Sequence, residues 1–154
     1  MADFTIRPAT RADLPSIIAL LAADDLGRTR EHPAEPLDPR YTAAFDAIEA
    51  DPNQTEIVVE SGGQVVGCLQ LSFIPGLSHL GAWRGQIESV RVAADQRNAG
   101  VGRAMILWAV EQCRARGCGI VQLTTDTRRA DAQRFYLSLG FVASHMGMKL
   151  TLAH

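Results

Sequence analysis

A strand, a glycine-punctuated turn and a long apolar helix follow one another between residues 87 and 116, and no other stretch restricts the fold as much. Ile87-Glu88-Ser89-Val90-Arg91-Val92 has the composition of a strand, and Arg97-Asn98-Ala99-Gly100-Val101-Gly102 that of a tight turn into a helix. The first N–H groups of such a helix have no intrahelical acceptor, and the positive end of the helix dipole lies with them. A phosphate or pyrophosphate suits that position. Spacing narrows the choice. It is Arg-x-x-Gly-x-Gly, whereas the dinucleotide fingerprint needs Gly-x-Gly-x-x-Gly, and Met105 holds the place of its third glycine. No Lys-Ser or Lys-Thr pair follows, so a P-loop is excluded as well. An ordinary strand-to-helix turn, with glycines only for close packing, has the same local pattern.

The rest of the chain supplies the context. With 154 residues, 47% of them hydrophobic, it can bury about two-thirds of its unfolded surface in one core, so a single domain over 1–154 is expected. A net charge of −2 argues against nucleic acid as a partner, which usually needs a basic face. No run of about 18 apolar residues occurs, so no membrane-spanning helix is expected, and Met1-Ala2-Asp3-Phe4-Thr5-Ile6 lacks the features of a signal peptide. Cys68, Cys113 and Cys118 are odd in number and lack Cys-x-x-Cys spacing, so a reducing cytoplasm is the plain reading. His32, His79, His145 and His154 are scattered, and no metal is expected.

Thr5-Ile6-Arg7 reads as a first strand, and Leu14, Ile17, Ile18 and Leu21 recur as on one face of a helix. Thr10 and Asp13 match a capping box, but Pro15 then falls too deep in the helix, so Asp13 is preferred as N-cap. Residues 24–40 read as an acidic, proline-rich loop, and a second helix is expected from about Tyr41 to Ala50. Strands at 55–60 and 65–73 meet at Ser61-Gly62-Gly63, a hairpin signal. A loop at 75–85 precedes a strand at 86–93, a helix at 100–116, a strand at 120–125 and a helix at 131–139. Gly140 stands where a left-handed C-terminal cap is needed, and a strand from Val142 to Leu152 completes the sheet. Central strands with helices before, between and after them imply an α/β fold with a mixed sheet covered on both faces.

Val90-Arg91-Val92, Arg97-x-x-Gly100-x-Gly102 and Arg134-Phe135-Tyr136-Leu137-Ser138-Leu139-Gly140-Phe141, in that order, resemble the GNAT superfamily of acyl-CoA-dependent N-acetyltransferases. The likeness runs from Ile6-Arg7-Pro8-Ala9 to the last strand. It implies a mostly antiparallel sheet in which the strands at 86–93 and 120–125 are parallel but splayed, with acetyl-CoA as co-substrate in the gap. Its pantetheine would pair with the main chain of Val90 and Val92, beside Arg91. Its pyrophosphate would lie on Arg97, Asn98, Ala99, Gly100, Val101 and Gly102, with Arg103 adding charge. Many relatives carry an Asn near the start of the tyrosine helix. Here residues 125–131 contain none, and Arg128 or Arg129 could meet the adenosine 3′-phosphate or simply form a solvated turn.

Acetyl transfer to a primary amine needs a free amine, a stabilised oxyanion and an acid for the departing thiolate. In the resembled family the tyrosine at the position of Tyr136 commonly serves as that acid; by spacing alone it is equally a core aromatic beside Phe135. Glu88 is the candidate base, on the strand face opposite Ser89 and Arg91, or else a solvated strand residue. Carboxylates in the 24–38 loop could steer a cationic amine, and Trp83 could bind it by cation–π contact. No cysteine falls in the splayed region, which favours direct transfer in a ternary complex, although the turn at Cys118 weakens the point. The acceptor is left open between a small-molecule amine and a protein or peptide amine. A non-catalytic acyl-CoA-binding module or accessory subunit is the alternative, and a homodimer through sheet edges is compatible with the chain.

Overall fold

The computed structural model describes residues 3–153; Met1, Ala2 and His154, and the expectations placed on them, lie outside it. Two compact units divide the chain, Met1–Gln122 and Leu123–His154.

In the first unit, β1 (Thr5–Pro8), β2 (Gln54–Ser61), β3 (Gln64–Ile74), β4 (Trp83–Val92) and β5 (Cys118–Leu123) form a sheet in chain order. The first three pairings are antiparallel. The β2–β3 hairpin turns through Gly62 and Gly63, whose φ values of 57° and 77° suit the two-residue turn that follows strand twist. Beside β4, β5 runs parallel: Gly119 lies next to Ala82, Gly85 next to Ile120, and the Gln122 side chain donates to Gln86 at 2.7 Å. One residue further on β5 ends, while β4 continues to Val92. The strand starts differ from the sequence reading by up to three residues, because a strand extends as far as its neighbour pairs with it.

Helices cover both faces. On one side α1 (Leu14–Ala22) places Ile17 and Leu20 against Val58 and Cys68. The Thr10–Asp13 capping box does form, closing a short 3-10 turn: Thr10 N–H donates to Asp13 Oδ2 at 2.7 Å. Asp13 then occupies the N-cap position of α1, with Pro15 in the tolerated first turn. On the same side α2 (Pro39–Ala50) begins two residues before the expected start, because Pro39 can occupy the first helical position and Asp38 accepts from Arg40 N–H. The opposite face carries α3 (Val101–Ala115), whose Met105 packs on Gly67 and whose Cys113 packs on Gly85. Met105 is therefore a core residue in the place where a dinucleotide site needs glycine.

The second unit contains α4 (Ala130–Ser138), closed as expected by Gly140 at φ 93°. Gly140 N–H donates to Leu137 O and Phe141 N–H to Tyr136 O, the paired bonds of a left-handed cap. The expected strand from Val142 to Leu152 does not form. Residues 141–153 hold neither helix nor strand and are almost wholly exposed. Alternating apolar residues give a strand its face, but only a neighbouring main chain makes it a strand.

Candidate active site

From β4 the chain passes through a 3-10 turn at Ala94–Gln96 to Arg97 and into α3. Gly100 is the N-cap and takes φ 86°, with nothing within 4 Å of where a Cβ would stand. Glycine is needed here for the backbone conformation and not for room. The first rung of the helix is Ala104 N–H to Gly100 O at 3.0 Å, so the N–H groups of Val101, Gly102 and Arg103 precede the ladder. Arg97, Asn98, Ala99, Gly100 and Arg103 are exposed around that opening, whereas the Val101 side chain is buried in the core. Of Val101, then, only the main chain borders the opening.

A bulge lies just upstream. Cys68 faces Arg91 and Gln70 faces Glu88, so the single Leu69 opposes both Ser89 and Val90. Ser89 takes φ 55°, and the Cys68 thiol donates to its carbonyl at 3.6 Å. Simple alternation therefore fails: Glu88 and Arg91 lie on the same face, the one that α1 covers. Arg91 donates to the Val90 carbonyl at 2.8 Å and approaches Asp24, its Nε 3.9 Å from Oδ2, so its guanidinium is engaged away from the turn.

That face is polar around Glu88. In register, Glu56 on β2, Gln70 on β3 and Glu88 on β4 form a row across three strands. Gln54 accepts from Gln70 at 3.2 Å and from Ser72 at 2.6 Å. Glu88 is exposed, but burial pushes the Glu56 carboxyl up to about 8. Glu56 also lines a pocket of about 160 Å³ with Phe45, Ile48 and Glu49 of α2. Sequence reasoning missed Glu56, since an isolated Glu in a strand gives no sign of what stands over it. Arg84 shares this face, opposite Ile74, and its buried Nε has no hydrogen-bond partner among the described residues.

Two expectations for the acceptor side change. Trp83 lies on the α3 side of β4, where the Arg116 guanidinium sits 5.9 Å from its ring and 4.5 Å from that of Phe73. An internal cation already occupies the ring. In the 24–38 loop Asp25 pairs with Arg28, Asp38 with Arg40, and Glu31 accepts from the Tyr41 hydroxyl at 2.7 Å. Local pairing leaves that loop a much weaker attractor than its composition suggests.

Neither buried thiol is poised to react. Burial pushes Cys113 up to about 11 and Cys68 up to about 12, where the thiolate is scarce. Cys118 lies beside Cys113 at the end of α3. Among the described residues no three metal-ligating side chains come together, and no helix is long and apolar enough to cross a membrane.

In the second unit Tyr136 stands on α4 between two rings, 5.2 Å from Phe135 and 5.8 Å from Phe141 in an edge contact. Both the aromatic-cluster reading and a role for its hydroxyl are compatible with that setting. Arg128 is bound to Asp126 through two hydrogen bonds of 2.9 and 2.7 Å, which hold the Asp126 carboxyl far below its usual range.

Comparison with known proteins agrees with this geometry. The model of the acetyltransferase (GNAT) family matches residues 20–141. The aminoalkylphosphonate N-acetyltransferase of Salmonella typhimurium is 31% identical over 140 residues, 91% of this chain and 86% of that protein. The glucosamine 6-phosphate N-acetyltransferase of Trypanosoma brucei brucei is 36% identical over 90 residues, 58% of this chain and 59% of its own length. Among solved structures, a protein described as a transcriptional regulator from Bacillus halodurans C-125 is 45% identical with a TM-score of 0.95, over 97% of this chain and all of that one.

Proposed function

Because the chain belongs to the acetyltransferase (GNAT) family and moves an acetyl group from acetyl-CoA to an amine, we propose that it does so by direct transfer in a ternary complex to a small amine bearing a phosphate or phosphonate. One observation carries the cofactor half: the opening of α3 at Gly100, where three N–H groups precede the helical ladder beside exposed Arg97 and Arg103. The CoA pyrophosphate binds there, and the pantetheine lies along Val90, Arg91 and Val92. The amine attacks the thioester carbonyl and loses its proton to Glu88 through water. The tetrahedral intermediate collapses, the C–S bond breaks, and Tyr136 protonates the departing sulfur. With Cys68 and Cys113 held as buried thiols, no acyl-enzyme is needed.

The acceptor class rests on two supports. Both named curated relatives act, by their names, on amines that carry a phosphorus oxyanion. Arg84 offers a buried guanidinium nitrogen without a partner on the Glu88 face. We read residues 1–154 as a single domain, a reading supported by a family match over 20–141 that crosses the boundary between the two units. Free thiols and the use of acetyl-CoA favour the cytoplasm, and a homodimer is the expected assembly.

Thiol release from acetyl-CoA, measured across aminoalkylphosphonates, amino-sugar phosphates, polyamines, aminoglycosides and peptides, tests the reading. Release confined to the first two groups is expected. Release with peptides alone overturns the acceptor class, and CoA binding with no release anywhere leaves a binding module.

A further inference from the structure

Cys113 and Cys118 lie on the two sides of the turn that ends α3 and opens β5. Arg116 caps the helix, and Gly117 follows it at φ 78°, its N–H donating to Arg114 O at 3.0 Å. The bond and the glycine conformation are those of a left-handed helix cap. Cys113 is the third residue from the end of the helix, and Cys118 the second beyond the cap. Those are the two positions whose side chains meet across such a turn. Here both are thiols. A disulfide needs Cα atoms within roughly 7 Å of each other, a span that residues facing across a single closed turn meet.

The surroundings keep the pair together. A Cβ on Gly85 would stand 2.2 Å from the Cys113 Sγ, so the thiol fills the notch that glycine leaves on β4. One residue after Cys118, a Cβ on Gly119 would stand 3.1 Å from that of Ala82. The end of the helix and the start of β5 are therefore both seated on the start of β4. The two thiols differ in access. Cys113 is buried, and burial first, then the neighbouring Cys118, pushes it up to about 11. Cys118 is only half-buried. Cys68 takes no part, because it packs with Ile17 and Leu20 on the opposite face of the sheet.

We propose that Cys118 and Cys113 form a dithiol site that a small-molecule disulfide oxidises to an intramolecular Cys113–Cys118 disulfide. The Cys118 thiolate attacks one sulfur of the small disulfide, forms a mixed disulfide and expels the first small thiolate. Cys113 then gives its proton to solvent and attacks the Cys118 sulfur, which expels the second. Two protein thiols lose two electrons to the small disulfide. The two protons released to solvent are taken up by the two departing thiolates. A more accessible thiol beside a resolving one is the arrangement that favours this order. Buried Cys113 is closed to reagents from outside, but the mixed disulfide on Cys118 brings the sulfur to it. The crosslink ties the end of α3 to the start of β5, and a reducing dithiol undoes it.

Mass spectrometry of the full folded chain, treated with glutathione disulfide at neutral pH and quenched in acid, reads the product directly. Arg114 and Arg116 lie between the two cysteines, so trypsin cuts the intervening chain and only a disulfide keeps the two peptides joined. Peptides 104–114 and 117–128 are expected to be linked, with Cys68 still free and no mixed disulfide accumulating. Cys113→Ala should stop at Cys118 carrying one glutathione. Cys118→Ser should lose its thiols at least about 100-fold more slowly than wild type, since a buried thiol of high pKa reacts poorly. The absence of linked peptides, a mixed disulfide that persists in the wild type, or a link that involves Cys68 overturns the proposal. So does a Cys118→Ser protein that is oxidised as fast as wild type. The wild-type peptide map decides the matter even if a variant fails to fold.

Discussion

A Cβ placed on Gly85 would stand 2.2 Å from the Sγ of Cys113, so β4 and α3 meet at a point where only glycine fits. Both positions are buried, and the contact fixes how closely α3 lies on the strand that bears Glu88. Gly85→Ala forces the helix or the strand to shift and should lower stability by about 1–3 kcal/mol. Gly85→Ala with Cys113→Ala should recover much of that loss. Urea denaturation of Gly85→Ala, Cys113→Ala and the double variant decides it: no recovery in the pair means the strain lies elsewhere.

Arg7 holds Asp13 through two hydrogen bonds of 2.8 and 2.9 Å and also binds Glu60, tying β1, β2 and the start of α1 together. The Arg7 bonds, with Thr10 assisting against the cost of burial, bring Asp13 down to about 2. A depressed folded pKa gives stability that is present above the unfolded value near 3.8 and lost as pH falls through about 2. Asp13→Asn should therefore cost about 2 kcal/mol at pH 7 and progressively less between pH 4 and 2. A wild-type and variant difference that does not change with pH over that window contradicts the assignment.

Glu56 gives the opposite slope. Its folded pKa stands near 8 against an ordinary 4.5, with burial as the cause. Between those values the unfolded chain holds fewer protons than the folded one, so stability falls as pH rises. Glu56→Gln should be more stable than wild type, by little at pH 4.5 and by on the order of several kcal/mol at pH 8. Denaturation midpoints at pH 5, 6.5 and 8 measure this, and parallel curves would remove Glu56 from the account.

At Gly100 the φ of 86° and the empty space beyond separate two effects that usually mix. Alanine meets no atom there but must adopt a left-handed conformation, at about 1–2 kcal/mol. Gly100→Ala should raise the KM for acetyl-CoA about tenfold while changing kcat much less, and Gly100→Asn should recover part of the affinity, because Asn tolerates that conformation. Equal affinity in all three proteins means the turn does not hold the pyrophosphate.

What the sequence revealed depended on how local the cause was. Gly62-Gly63, Gly100 and Gly140 were legible because each meets a backbone requirement set within a few residues. The start of α2 was misplaced because Pro39 reads as a loop residue, although a first helical turn accepts it. At Ser89 the bulge left no trace, since an extra residue in a strand needs no special side chain and appears only in the register with β3. Glu56 likewise owes its chemistry to α2 and to neighbouring strands. The strand expected from Val142 to Leu152 does not form, because periodicity in the sequence does not supply the neighbouring main chain that a strand needs.

The proton transfers make the sharpest test of the two candidate catalytic groups, because the variants should fail differently. Tyr136 keeps its ring contacts with Phe135 and Phe141 in Tyr136→Phe, so folding and CoA affinity should persist. Loss of the hydroxyl should then lower kcat by about 10²-fold. Glu88 is exposed at the end of the polar row, and Glu88→Gln preserves its shape and its place opposite Gln70. If it accepts the amine proton, the variant should lose most of the rate near neutral pH, while high pH, which supplies neutral amine, should restore much of it. A uniform loss at all pH values would make Glu88 a positioning residue. An unaltered kcat in Tyr136→Phe would return Tyr136 to the aromatic cluster and leave the sulfur to be protonated from solvent.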